Sequence, residues 1–508
     1  MRMSLRSAAV AALIIAVPLT SLSAAAVTSP RYIDPPARSG LAPLHQSGDD
    51  AIPGQYIVTL AAGVSPEAVA GLIGVTPLYT YTDAPRGFAA RLTPEQVEML
   101  RRQPGVEAVE EDAIFSVPPD ANASGPAGYR GPERYEGRYE GRYEGRDEGR
   151  NEGRRADEEG PGDVDVGELG DGGDVGDAGV GDVREDEAGA PEPPLADREV
   201  DGSDPVGRPG PDLPPHSPNT GALDRTVTGH AADVPWGLTR INGREPGGSG
   251  FTVTATGAGV TSYVIDSGVE LAHPDFGGRA VAGETFIDDG RGAGDCAGHG
   301  THVAGTLGGT ESGVAKQTKL VSVRVFDCEG ESSNSIIMAA INWVAANAQK
   351  PAVANLSLGG PFSRAMNLAV ENLAATGVFP VVAAGNDDIN ACGISPASSA
   401  GAYTVAAVDK ADRKAWFSNW GACVDTNGPG VGIRSTFLDG SFSELEGTSM
   451  AAPHVAGVAA LYKEAKGDAS FETLSSWLTE NATTGIDTSG YLGMPTGTPP
   501  LLVYTGGL

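Results

Sequence analysis

Gly447-Thr448-Ser449-Met450 runs into Ala451-Ala452-Pro453-His454-Val455-Ala456-Gly457, so small residues crowd around one serine. The Ala-rich run that continues to about Lys463 reads as a buried helix. Proline has no N–H and fits a first helical turn, where that donor has no intrahelical partner. Pro453 is therefore expected in the first turn, and the helix is expected to start close to Ser449. A hydroxyl there faces backbone N–H groups and the positive end of the macrodipole, so it could attack a carbonyl and have the oxyanion stabilised. A lone serine at such a place is more often a plain helix cap.

Other residues supply the missing chemistry. Val260-Thr261-Ser262-Tyr263-Val264-Ile265 reads as a buried strand with Asp266 at its carboxyl end, where open α/β sheets hold their sites. His299, flanked by Gly298 and Gly300, opens an apolar helix. A second strand end, Val381-Val382-Ala383-Ala384-Gly385, carries Asn386. A serine hydroxyl needs a base, and only histidine titrates near neutrality without large perturbation.

Five motifs together resemble the subtilases, serine endopeptidases of the subtilisin type, and are most similar to the proteinase K and aqualysin branch. They are Val264-Ile265-Asp266-Ser267-Gly268, His299-Gly300-Thr301-His302-Val303-Ala304-Gly305, Ser357-Leu358-Gly359-Gly360, Ala383-Ala384-Gly385-Asn386 and Gly447 to His454. The Asp-His-Ser chain order is also that of subtilisin. The resemblance implies a three-layer α/β domain over 231–508, with a mostly parallel sheet and helices on both faces. It implies His299 as general base, Asp266 as its orienting partner, and Asn386 as an oxyanion donor beside the Ser449 N–H. Ser357, Leu358, Gly359 and Gly360 would form one wall of an apolar S1 pocket, and Ala383, Ala384 and Gly385 the other. Broad cleavage of protein and peptide substrates after large apolar or aromatic residues is then expected.

The opposite rim, Asp327 to Asn334 with Gly330 in its middle, would pair with extended substrate as an added strand. Asn334 stands where relatives carry an aromatic, and Glu329 and Glu331 add charge. His302 and His454 are expected to be structural, since no set of metal ligands surrounds them. His273 is expected in a loop near the Asp266 strand. No cofactor is needed for the chemistry. By resemblance, a structural calcium would use Asp425 with the carbonyls of Ala400 and Ala402. The acidic loop that relatives use for a second calcium reads Ile241-Asn242-Gly243-Arg244-Glu245 here, so that site is not expected.

The chain has 508 residues and a formal charge of −31. Its four cysteines, Cys296, Cys328, Cys392 and Cys423, allow three pairings and lack the Cys-x-x-Cys spacing of zinc sites. The resemblance implies Cys296–Cys328 and Cys392–Cys423, each closing about 30 residues and contributing roughly 3–4 kcal/mol. Arg2 and Arg6 precede an apolar run from Ala8 to Val17 and small residues at Ser23 to Ala26, so residues 1–26 read as an export signal. A secreted monomer is expected, with neither nucleic acid nor membrane as partner.

Residues 51–117 read as a small α+β unit. Thr93, Pro94 and Gln96 there spell a capping box with proline at the first helical position. This unit resembles the inhibitory propeptide of subtilases. Residues 118–230 hold 28 acidic against 12 basic residues, a repeated Tyr-Glu-Gly-Arg tetrad and few apolar side chains, so a disordered linker is expected. A solvated spacer is expected, the alternative being a tether for the propeptide that is open to cleavage near Arg154-Arg155, and a mature start is expected near Asp233. The alternative reading is an inactive protein of the same fold that only binds.

Overall fold

The computed structural model describes residues 40–82, 85–117, 234–490, 493 and 496–508. The export signal, the 118–230 linker and the maturation points lie outside the described residues. Among those described, no helix is long and apolar enough to cross a membrane.

Thr93 caps its helix as its sequence position calls for. Its hydroxyl accepts from Gln96 N, and Gln96 Oε1 accepts from Thr93 N at 2.9 Å. That helix, α2 (Pro94–Arg101), packs with α1 (Pro66–Leu72) beside a sheet of β1 (Ala51–Leu60), β2 (Tyr79–Tyr81), β3 (Gly87–Arg91) and β4 (Val106–Ser116). The order is β4-β1-β3-β2, antiparallel throughout, with Leu44–His45 added parallel to β4. Val58, Phe88, Leu100 and Val109 form the unit's own core. α1 and β2 are not evident in the sequence. β4 runs four residues past the Asp112 expected from its pattern.

The larger sheet alternates with helices along the chain. Its strands are β5 (Thr261–Asp266), β6 (Ala280–Thr285), β7 (Lys319–Arg324), β9 (Ala352–Leu356), β10 (Val378–Ala383), β11 (Tyr403–Val408) and β12 (Thr426–Pro429). The spatial order β12-β11-β10-β9-β5-β7-β6 is parallel throughout. Two short strands, Leu501–Leu502 and Thr483–Thr484, extend it beyond β12.

Strand residues alternate between two cores. Val264, Val353 and Val381 meet α3 (His299–Gly308), α6 (Thr448–Lys466) and α7 (Phe471–Asn481) on one face. Tyr263, Ile265 and Val382 meet α4 (Asn334–Asn347) and α5 (Arg364–Ala375) on the other. This makes the expected three layers. After β7 the chain crosses to the other side of β5, so the strand order reverses at β5 and its carboxyl end is a topological switch point.

Candidate active site

Asp266 ends β5 with its side chain fully buried. Its Oδ1 accepts from His299 Nδ1 at 2.7 Å and from Ser267 N at 2.7 Å. His299 is the first residue of α3 and is 5% exposed. The next residue must be glycine. A Cβ on Gly300 would stand 2.1 Å from Gly268 O and 3.1 Å from Asp266 Oδ1. Only a bare backbone lets the helix start this close to the strand end.

Ser449 is the second residue of α6 and is 4% exposed, as its small neighbours foretell. Pro453 corrects the expectation for this helix. It lies inside α6, five residues beyond Thr448, not in the first turn. Its missing N–H would have bonded to the carbonyl four residues earlier, that of Ser449. Ser357 Oγ donates to that carbonyl instead, at 2.8 Å. Asn386 Oδ1 accepts from Thr448 N and Thr448 Oγ1, both at 2.9 Å, which fixes the orientation of the amide. Its Nδ2 lies 3.4 Å from where a Cβ on Gly447 would be.

Three further residues brace the site. Thr448 Oγ1 accepts from Gly385 N at 3.0 Å, tying the Asn386 loop to α6. Asn419, fully buried, donates to Ala384 O and accepts from Asp387 N and Ile389 N. Ile394 borders both expected pocket walls, since its Cδ1 would touch a Cβ on either Gly359 or Gly385. Asn419 and Ile394 come from segments distant in sequence, so no local pattern marks them, whereas Thr448 stands in the serine motif itself.

His302 and His454 are buried and held neutral. Desolvation holds His302 down to about 3, with Nε2 donating to Ile433 O at 2.9 Å. It holds His454 down to about 4, with Nδ1 donating to Met450 O. His273 lies in a loop as expected, where it caps the short turn Pro274–Phe276 and is buried.

Cys296–Cys328 and Cys392–Cys423 are disulfides. The first joins the loop before His299 to the rim at Gly330. Among the described residues, the one cluster of potential metal-ligand side chains is Asp289, Cys296 and Cys328, whose two sulfurs are already bonded. Asp425 Oδ2 accepts from Thr404 N at 2.7 Å, and burial pushes its carboxyl up to about 6. A buried carboxylate with one backbone donor is a group that a cation would compensate. In the Ile241 to Glu245 segment, Arg244 instead donates to Ala482 O and stacks on Tyr504.

The rim at Gly330 carries the chain's own β4. Ile114, Phe115 and Ser116 pair antiparallel with Ser333, Ser332 and Glu331 of β8 (Glu331–Ser333), and Val117 N donates to Gly330 O at 2.8 Å. Phe115 is 1% exposed, its ring 2.8 Å from where a Cβ on Gly360 would be. Asn334, at the end of this rim, is the first residue of α4 and is buried with the 51–117 unit in place. Glu110 accepts from Ser363 Oγ and Ala365 N at the start of α5, and Asp112 accepts from Ser335 N at the start of α4.

Residues 257–495 match the Subtilase family and 71–117 the Peptidase inhibitor I9 family. A solved cold adapted subtilisin-like serine proteinase is 43% identical with a TM-score of 0.52, covering 54% of this chain and 98% of that one. Proteinase T of Parengyodontium album is 46% identical over 243 residues, 47% of this chain and 83% of its own length. The Extracellular serine proteinase of Thermus sp. (strain Rt41A) is 50% identical over 244 residues, 47% of this chain and 60% of its own. The chain belongs to the subtilase family, with an I9-type unit ahead of the subtilase domain. It spans between about half and three fifths of the length of most curated relatives it matches.

Proposed function

We propose that this chain is a secreted serine endopeptidase made as a self-processing zymogen. The observation that carries the reading is the 2.7 Å His299–Asp266 hydrogen bond at the carboxyl edge of the sheet, with the His299 helix packed against the helix whose second residue is Ser449. Ser449 Oγ adds to the substrate carbonyl while His299 Nε2 takes its proton. Asp266 holds the tautomer and stabilises the imidazolium. The oxyanion accepts from the Ser449 N–H and Asn386 Nδ2. Collapse expels the amine, which leaves with the proton from His299. Water, deprotonated by His299, then releases the acid and regenerates Ser449.

Ser357 to Gly360 and Ala383 to Gly385 would receive a large apolar or aromatic P1 residue. Ile394, which borders both walls, keeps that space apolar. The 51–117 unit acts as intramolecular inhibitor, its Phe115–Val117 segment holding the rim where extended substrate would pair. Residues 118–230 are the linker removed on maturation, 231–508 is the monomeric catalytic domain, and 1–26 directs export. Asp425, with the Ala400 and Ala402 carbonyls, would hold a calcium ion whose role is to fix loops, not to react.

Intact mass after fluorophosphonate treatment tests the reading on secreted wild type and Ser449→Ala. An adduct on a wild-type fragment the size of 231–508, with an uncut and unlabelled variant, is expected. Both proteins staying full length and unlabelled would favour an inactive binding protein of the same fold.

A further inference from the structure

Asp295 lies four residues before His299 and takes no part in the chemistry above. Its carboxylate nevertheless collects five hydrogen bonds from both sides of the Asp266–His299 pair. Oδ1 accepts from Ser267 Oγ at 2.9 Å and from Ala297 N and Gly298 N at 3.0 Å. Oδ2 accepts from Thr301 N at 2.9 Å and Thr301 Oγ1 at 2.6 Å. Ser267, directly after Asp266, in turn accepts from Gly300 N at 2.9 Å, directly after His299.

The N-cap of α3 is Gly298, which has no side chain to offer the first N–H groups. Asp295 supplies that acceptor from upstream, and its charge sits at the positive end of the helix. The same carboxylate grips Ser267, whose N–H donates to the Asp266 oxygen that receives His299. Among the described residues Asp266 Oδ2 is buried without a hydrogen-bond partner. Its alignment with the imidazole rests on the Oδ1 side, which Asp295 braces through Ser267.

Resting on the proteolytic reading of the triad, we propose that Asp295 is a positioning residue that locks the strand end bearing Asp266 to the helix start bearing His299. Other ionisable groups nearby are few. Asp266 belongs to the pair, His302 is neutral by burial, and the Asp289–Arg324 ion pair lies beyond Cys296. Glu270 N donates to Thr301 Oγ1, and the Glu270 carboxylate is engaged by Gly440 N.

The test is steady-state cleavage of a peptide amide by secreted, matured wild type, Asp295→Asn, Ser267→Ala and Glu464→Gln. Glu464 is the control, because it also gathers three backbone N–H groups, those of Thr256, Gly257 and Ala258. It sits 15 residues along α6 from Ser449, about 22 Å away. Asp295→Asn should lower kcat about tenfold or more with KM little changed, since misplacement by ~1 Å can cost about 100-fold. The acid limb of its kcat/KM profile should move to lower pH, because His299 loses a neighbouring anion and a firm Asp266 contact. Ser267→Ala should shift both quantities in the same direction by less, and it decides the matter if Asp295→Asn fails to fold. Glu464→Gln should lose thermal stability with kcat and pH profile unchanged. The proposal is overturned if Asp295→Asn behaves like Glu464→Gln, or fails to fold while Ser267→Ala matches wild type. A wild type that takes up no fluorophosphonate would instead sink the proteolytic reading.

Discussion

Ser357 Oγ donates to the Ser449 carbonyl at 2.8 Å, filling the place of the N–H that Pro453 lacks. Asn355 Nδ2 donates to Ser357 Oγ at 2.8 Å, so the wall of the proposed pocket and the proposed nucleophile share one polar chain. Ser357→Ala strands a buried carbonyl. Unfolding in urea should show a loss of about 1–3 kcal/mol. An unchanged midpoint would mean that the carbonyl finds another donor.

Asn386→Leu removes the proposed side-chain donor to the oxyanion. It also removes the acceptor for Thr448, so folding is checked by circular dichroism. Turnover should fall on the order of 100- to 1000-fold with KM nearly constant. Near-normal turnover would place the oxyanion elsewhere.

Glu110 and Asp112 anchor the inhibitory unit at the starts of α5 and α4. Two effects oppose each other there. Helix N-termini favour the anion, while burial favours the neutral acid, and burial wins for both carboxyls. A carboxyl raised in the folded zymogen contributes fully below its unfolded pKa and loses that contribution as pH rises through the folded value. The melting temperature of the Ser449→Ala zymogen should therefore rise, on acidification from pH 7 toward about 4, relative to the same protein carrying Glu110→Gln and Asp112→Asn. The opposite slope would show that the backbone donors outweigh desolvation.

Calcium at Asp425 makes a separate prediction. A chelator should lower the melting temperature of the wild type and leave Asp425→Ala unaffected. Equal sensitivity in both proteins would move the ion to other residues.

Much of this site was legible because glycine and histidine leave local marks. Gly300 must lack a side chain where α3 meets Asp266, and Asp266 ends a six-residue strand buried along its whole length. Strand and helix patterning likewise marked elements such as the Asp266 strand and the Ser449 helix, and the family resemblance implied the three layers. Pro453 misled because a local rule treats a proline's missing N–H as tolerable only in the first turn. In the fold, Ser357 answers that loss from 92 residues away.

By itself, then, the sequence determined the reactive residue types, their order, and the strands and helices that carry them, since these depend on neighbours a few positions apart. Tertiary structure alone decided how they are braced. Asn419, Ile394 and Thr448 support the Asn386 loop, Asp295 spans Ser267 and α3, and Phe115 packs on Gly360. Those partners lie far apart in the chain, and a polar or apolar side chain gives no local sign of which distant group it will meet.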